Sequence, residues 1–262
     1  EWEVLTESMG YWIDLSDPYI TYKPKYMETV WWLIKNIFEK NLLYKGYTVQ
    51  PYSPAAGSGL SSHELNQPGA YREISDTSVI AQFKCINDNK SDKFNGMFPF
   101  YFLAWTTTPW TLPSNTALTL GAKIEYSFVK TFNQYTREKI TVVLATSLIE
   151  KVFTKNFFIV KEESKLSLFK ESDAKIPYYV VNSFKGFEFE NLRYERIWDE
   201  APLPIDNPEN AFRVILGDFV TTDDGTGIVH TAPTFGADDY KAAKSAKPQV
   251  PPLLVPDKNG NK

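Results

Sequence analysis

In KYMETVWWLIKNIFEKNLL, the apolar residues Met27, Val30, Trp31, Ile34, Ile37 and Phe38 recur at spacings of three and four. That period is the stripe of an amphipathic helix and predicts a packing helix over about residues 25–40. The following stretch, VQPYSPAAGSGLSSHELNQPGAYRE, has no such period and is rich in Pro, Gly and Ser, the residues of loops. From residue 75 the pattern changes again. Short β-type runs (TSVIAQFKC, FPFYFLAWTT, EYSFVKTF, KITVVLAT, NFFIVKE, YYVVNSF, FRVILGDFV, GIVHTA) alternate with polar or Gly-containing turns. They predict a β-rich α+β fold, barrel-like and mostly antiparallel, with short peripheral helices at 146–153 and after Asp238. The chain thus divides into a helical connective segment, 1–74, and a β-barrel-like domain, 75–262. The lysines of KVFTKNFFIVKEESKLSLFK alternate with apolar residues and read as a solvated strand face.

Composition narrows the function. A hydrophobic share of 43% over 262 residues suffices for a packed core, and no run approaches the roughly 20 apolar residues of a membrane span. The start, EWEVLTESMG, has neither the basic nor the apolar region of a signal peptide. One cysteine, Cys85, excludes an internal disulfide, and two histidines leave no plausible zinc cluster. A reducing, cytoplasmic location and no structural metal are expected. The net charge of −4 argues against a broad phosphate-binding face, so any nucleic-acid contact is expected to be small or shared. The start at Glu1 and the close on PPLLVPDKNGNK, an unfinished turn between strands, suggest a piece of a larger protein.

Three stretches could carry chemistry. AWTTTPWTLPSN, residues 104–115, reads either as a strand stopped by Pro109 or as a site. In a regular strand Thr106 and Thr108 face one side and Thr107 the other, so not all three hydroxyls can reach solvent, and buried ones need partners. DDGTGIVHTAPTFGADDY, residues 223–240, predicts a tight turn, a short buried strand bearing His230, and a helix after two aspartates. One of these, Asp238 or Asp239, suffices as the N-cap or first-turn carboxylate, leaving the other free to bind a cation. His230 alone reads more readily as a core histidine than as a catalyst. Cys85 has no assignable base, no Gly-x-Ser-x-Gly elbow occurs, and the GTG turn lacks phosphate-loop spacing.

WTTTPWTLPSN and GTGIVHTAPTFGADDY together resemble the editing domain (connective polypeptide 1) inserted in class I isoleucyl-tRNA synthetases; MGYWIDLSDPYITYKPKYMETVWW resembles the segment leading into it. Valyl and leucyl relatives carry Thr-Thr-Arg-Pro in the run and usually lack the histidine, so Thr108 and His230 favour the isoleucyl type. The synthetic-site signatures are absent, which implies no ATP-dependent aminoacylation and no cofactor. The resemblance implies a post-transfer editing hydrolase that deacylates Val-tRNA(Ile) and excludes isoleucine by size. Its partners would be the aminoacylated 3′ end of tRNA(Ile) and the remaining domains of a parent synthetase, the fragment being a monomer away from membranes. Asp239 is implied to bind the α-ammonium; Thr107 and Thr108, with Thr106 beside them, to hold the ribose, carbonyl or attacking water. His230 would set the size limit, while Trp105, Trp110, Asn115, Gly227, Ala232 and Pro233 would line or position the pocket. No residue is assigned as general base; the vicinal ribose hydroxyl is expected to activate water. Cysteines that bind zinc in many relatives are replaced near PYSPAAGSGLSSHE, so no zinc knuckle is expected. The competing reading is a non-catalytic insert that docks the tRNA acceptor end.

Overall fold

The computed structural model describes residues 1–254 except 47, 201 and 205; the closing turn expected in PPLLVPDKNGNK therefore lies largely outside the described residues. The chain forms two compact units, 1–48 and 49–262, so the loop-rich stretch from residue 49 belongs to the second unit rather than with the helix before it. In the first unit, α1 spans Trp2–Ser8 and α2 Pro24–Glu39. Pro24 at the first helical position fixes φ where no intrahelical N–H bond is lost, so α2 starts there. None of its residues is buried in the described structure; Trp31 and Trp32 are 70% and 62% exposed. No helix among the described residues is long and apolar enough to cross a membrane.

The second unit opens with a two-residue ladder, β1 (Tyr52–Ser53) against β2 (Ser58–Gly59), and with α3 (Ser62–Leu65). Ser61 and Glu64 form a reciprocal capping box that starts α3. The large sheet contains β3 (Val79–Lys84), β4 (Phe100–Thr106), β5 (Ala117–Leu120), β6 (Glu125–Phe132), β7 (Lys139–Ala145), β8 (Phe157–Ile159), β9 (Ile176–Lys185), β10 (Arg213–Leu216) and β11 (Ile228–Thr231). Its order is β10-β5-β11-β4-β7-β6-β9-β8, with β3 on β4. Short helices follow as expected: α4 (Ile149–Val152) after a 3-10 turn, and α5 (Ala237–Ser245). Of the segment read as a strand face, only Phe157–Ile159 is strand; Glu163–Leu168 is a 3-10 turn.

The architecture is mixed α/β, which corrects the expectation of a mostly antiparallel barrel. Within the large sheet, β10 and β5, β11 and β4, β4 and β7, and β8 and β9 pair in parallel, as many pairings as run antiparallel there among the described residues. The terminal strands β10 and β8 do not pair with each other, so the sheet is not closed. The physical reason is burial on both faces. On β4, Phe100, Phe102 and Ala104 enter an aromatic core on one face, while Leu103, flanked by Tyr101, enters a second cluster on the other. Strands covered on both faces carry continuous apolar runs and suit parallel pairing, whereas the alternation of half-solvated antiparallel strands is absent from FPFYFLAW.

β4 is also where the sheet divides. β3 pairs along one of its edges from Tyr101 to Thr106, while the other edge pairs with β7 at residues 100–102 and with β11 at Trp105. Because β11 runs parallel to β4, the carboxyl ends of both strands lie side by side, the usual place for a ligand crevice in sheets of this kind. Elsewhere, isolated bridges join Cys85 to Tyr194 and Arg193 to Arg213, carrying the segment around Tyr194 between the end of β3 and β10.

The main core is aromatic: Phe94 stacks on Phe189 with ring centroids 4.9 Å apart and packs edge-on to Phe100 and Phe184. Phe94→Ala is expected to cost about 3–5 kcal/mol. Denaturant unfolding checks this; a loss below about 1 kcal/mol would contradict the packing described.

Candidate functional site

The strand β4 ends at Thr106 because Pro109 opens a 3-10 turn, Pro109–Ser114, and cannot continue a ladder. Thr107 and Thr108 thus leave the sheet and are exposed, while Thr106 is buried. The Thr106 and Thr108 hydroxyls lie 3.3 Å apart on one side, and the Thr108 N–H donates to Thr106 Oγ1 at 3.1 Å. These threonines form one wall of a cleft of about 460 Å³, which is lined further by Trp105, Trp110, Thr111, Val229, His230, Phe235, Gly236 and Asp239. The threonine run is a strand end, and that strand end forms one wall of the cleft.

His230 is 5% exposed and held at both ring nitrogens. The Asn115 Nδ2 group donates to the Ala117 carbonyl at 2.8 Å, and that carbonyl can only accept. The amide orientation is thereby fixed, and the second N–H of the same group points at His230 Nδ1, 2.9 Å away. Nδ1 must accept, so the ring proton is on Nε2 and is donated to Thr111 Oγ1 at 3.0 Å. Thr111 passes its own proton to the Thr108 carbonyl at 2.8 Å. On the far side, Asn115 Oδ1 accepts from the Tyr194 hydroxyl at 2.6 Å. Burial pushes the imidazole pKa down to about 4, consistent with an uncharged ring. With one nitrogen accepting and the other donating, His230 has no free lone pair with which to deprotonate water.

Asp239 occupies the first turn of α5, whose N-cap is Gly236. Both aspartates lie inside the helix, so neither is the N-cap the sequence suggested. The Asp239 carboxylate folds back over Gly236: a Cβ there would come within 2.7 Å of its Cγ. Its Oδ2 accepts from the Ala232 N–H at 2.9 Å, which ties the helix to the end of β11. Burial raises the Asp239 pKa to about 6, the Ala232 N–H opposing it and Asp238 adding to it. Among the described residues Asp239 makes no ion pair; Lys241 lies against Asp238 instead, at 3.4 Å. The carboxylate is half-buried and faces the cleft.

The sequence-derived residues Trp105, Thr106, Thr107, Thr108, Trp110, His230 and Asp239 all line this cleft. Asn115 stands behind His230 rather than in the wall, Ala232 acts through its N–H, and Pro233 is buried in the turn before α5. Gly227 does not line the cleft. It sits at φ 73°, its carbonyl accepts from the Tyr126 hydroxyl at 2.7 Å, and an added Cβ would lie 2.5 Å from that of Ala145. Its place is in the turn that starts β11. Thr111, Val229, Phe235 and Gly236 were missed. The run of hydroxyls in TTTPWT gave a usable signal for Thr111, and the ring of Phe235, 55% exposed, would be found only from the turn geometry.

A family model described as tRNA synthetases class I (I, L, M and V) matches residues 1–199. The isoleucine-tRNA ligase of Bacteroides fragilis is 55% identical over 261 residues, and that of Porphyromonas gingivalis 55% identical over 262. The chain spans 22% of the length of each of these relatives. Among solved structures, the cytosolic leucyl-tRNA synthetase editing domain of P. knowlesi overlaps 66% of this chain and 63% of that chain, at a TM-score of 0.47 and 12% identity.

The Asp239 shift has a consequence for stability. A carboxyl whose pKa is raised on folding contributes stability that is full at low pH and is lost as pH rises towards about 6. Asp239→Asn, which keeps an acceptor for the Ala232 N–H, is therefore expected to stabilise the protein at pH 7.5 by on the order of 2 kcal/mol and to bring little gain near pH 4. Thermal unfolding at the two pH values checks this; a gain of equal size at both, or a loss at pH 7.5, contradicts it.

Proposed function

The chain belongs to the class I tRNA synthetase family (I, L, M and V), and from that premise we propose that its cleft is an editing site, which hydrolyses the ester of valine mischarged on tRNA(Ile). The need is set by one methylene. An apolar pocket separates isoleucine from valine by only about 1–3 kcal/mol, a figure for which isoleucyl enzymes are themselves the standard case. A second site must then admit the smaller ester, refuse the larger one and admit water.

The observation that carries the reading is the pairing of an uncompensated carboxylate with a neutral wall in one cleft. Aminoacyl esters carry a free α-ammonium, and Asp239 offers it a charge-assisted hydrogen bond. His230, fixed from behind and uncharged, offers shape rather than charge to the side chain, so it serves as the size limit. Thr107 and Thr108, exposed at the cleft wall, present hydroxyls able to donate and accept around the ribose, carbonyl and water, with Thr106 bracing Thr108. Trp105, Trp110 and Phe235 supply apolar surface for the nucleoside or the wall. Since His230 has no free lone pair and Asp239 holds the ammonium, the vicinal ribose hydroxyl of the substrate relays the proton: it takes one from the attacking water as it gives its own to the departing ribose oxygen, the water oxygen bonding to the carbonyl carbon as the ester C–O bond breaks. The chain itself then contributes binding, orientation and exclusion by size.

Incubating the chain with Val-tRNA(Ile) and Ile-tRNA(Ile) tests this. Valine release with isoleucine spared is expected, with Asp239→Ala lowering kcat/KM by about 10²-fold or more and His230→Ala admitting isoleucine. Binding of charged tRNA without turnover, in the chain and in the full-length ligase alike, would instead make it a docking insert. The reading also fixes the pH profile. Ammonium capture needs Asp239 ionised, above about 6, and the amine protonated, below about 8, so kcat/KM for valyl ester should fall on both sides. An acid limb that survives unchanged in Asp239→Asn would remove Asp239 from this role.

A further inference from the structure

Tyr194 belongs to neither motif that builds the cleft, yet it ends a continuous chain of hydrogen bonds leading into it. The Tyr194 hydroxyl is donated to Asn115 Oδ1 at 2.6 Å, Asn115 Nδ2 is donated to His230 Nδ1 at 2.9 Å, and His230 Nε2–H to Thr111 Oγ1 at 3.0 Å. Every member except the outermost cleft hydroxyls is buried: Tyr194 is 1% exposed, Asn115 6%, His230 5% and Thr111 6%. Tyr194 reaches this place because its backbone bridges to Cys85, and its ring packs edge-on against Phe83 with centroids 5.2 Å apart. Burial raises its pKa well above the ordinary phenol range, so it remains a donor throughout the working pH range.

We infer that Tyr194, acting through Asn115, is a positioning residue that holds His230 as the uncharged Nε2–H imidazole, keeping the cleft free of a protein cation that would compete for Asp239. Two contacts fix the Asn115 amide: the Ala117 carbonyl on its nitrogen and the Tyr194 hydroxyl on its oxygen. Only that orientation makes Nδ1 an acceptor. A reversed amide would present an oxygen to Nδ1, which would favour a proton there and a charged ring. The titratable groups around the ring are Asp239, which lines the same cleft, and Tyr194 behind Asn115; Thr111 and Asn115 carry no charge. A cationic His230 would pair with Asp239 or repel an incoming ammonium. The lock thus serves substrate capture rather than bond cleavage. This role in capture rests on the proposed aminoacyl-ester reading; the lock itself does not.

Two near-isosteric variants test it. Tyr194→Phe leaves the Asn115 oxygen without a donor and weakens the preference between the two amide orientations. Asn115→Asp goes further and places an acceptor against Nδ1. In 15N-labelled protein, the wild-type His230 nitrogens should keep the widely separated signals of a neutral Nε2–H ring from pH 8 to 5. Tyr194→Phe should begin to protonate within that range, and Asn115→Asp should be charged near neutrality. With Val-tRNA(Ile), KM of Tyr194→Phe should rise roughly tenfold at pH 6 and recover by pH 8, with kcat nearly unchanged. Unchanged nitrogen signals in both variants would overturn the inference, as would a pH-independent loss of kcat in Tyr194→Phe. If the nitrogen signals change as expected but the wild-type chain and full-length ligase hydrolyse nothing, the lock stands and the hydrolase reading falls.

Discussion

The Ala117 carbonyl can accept a hydrogen bond but cannot donate one, and the chemistry of the cleft descends from that fact. It holds the Asn115 nitrogen, which obliges His230 Nδ1 to accept, which puts the proton on Nε2, which ties the ring to Thr111. The sheet supplies the geometry for this sequence. β11 lies antiparallel to β5, with His230 opposite Leu118, so the residues leading into β5 and the end of β11 are neighbours. β11 also runs parallel to β4, so the same end of the sheet delivers His230 and the threonines. A mostly antiparallel meander would separate these ends. The mixed order is what brings both motifs to one cleft.

Two titratable groups, the buried His230 and the half-buried Asp239, then make the stability of the cleft depend on pH. His230 is neutral and pushed down to about 4, so its burial stabilises the protein above the ordinary histidine pKa, and this contribution is lost as pH falls towards 4. Asp239 is pushed up to about 6, so its ionisation opposes folding as pH rises through that value. The carboxylate also accepts from the Ala232 N–H, so it braces the turn before α5. On the editing reading proposed above, that cost to stability is the mark of a site whose cation arrives with the ligand.

Much of this was legible in the chain. The helix α2 showed in its period, and the two motifs led to seven residues of the cleft wall. The mixed sheet was not read, although FPFYFLAW held the signal: a strand apolar at every position is covered on both faces, and the rule of alternation then says nothing about its partners. Gly227 looked like a site residue because it stands inside a motif, while its real work is a left-handed turn against Ala145. Tyr194 could not be found from spacing at all. It is 79 residues from Asn115 and meets it through isolated bridges, a relation that exists only after the chain has folded.

The account stands or falls on whether Asp239 receives the substrate's ammonium. The direct measurement is the 13C titration of the Asp239 carboxyl in the free chain and with a non-hydrolysable adenosine bearing valine through an amide at the 3′ position. The account predicts a free pKa near 6 that falls below the ordinary carboxylate value when the analogue binds, and no such fall with the analogue lacking the amino group. An Asp239 titration that the bound valyl analogue leaves unmoved would contradict it.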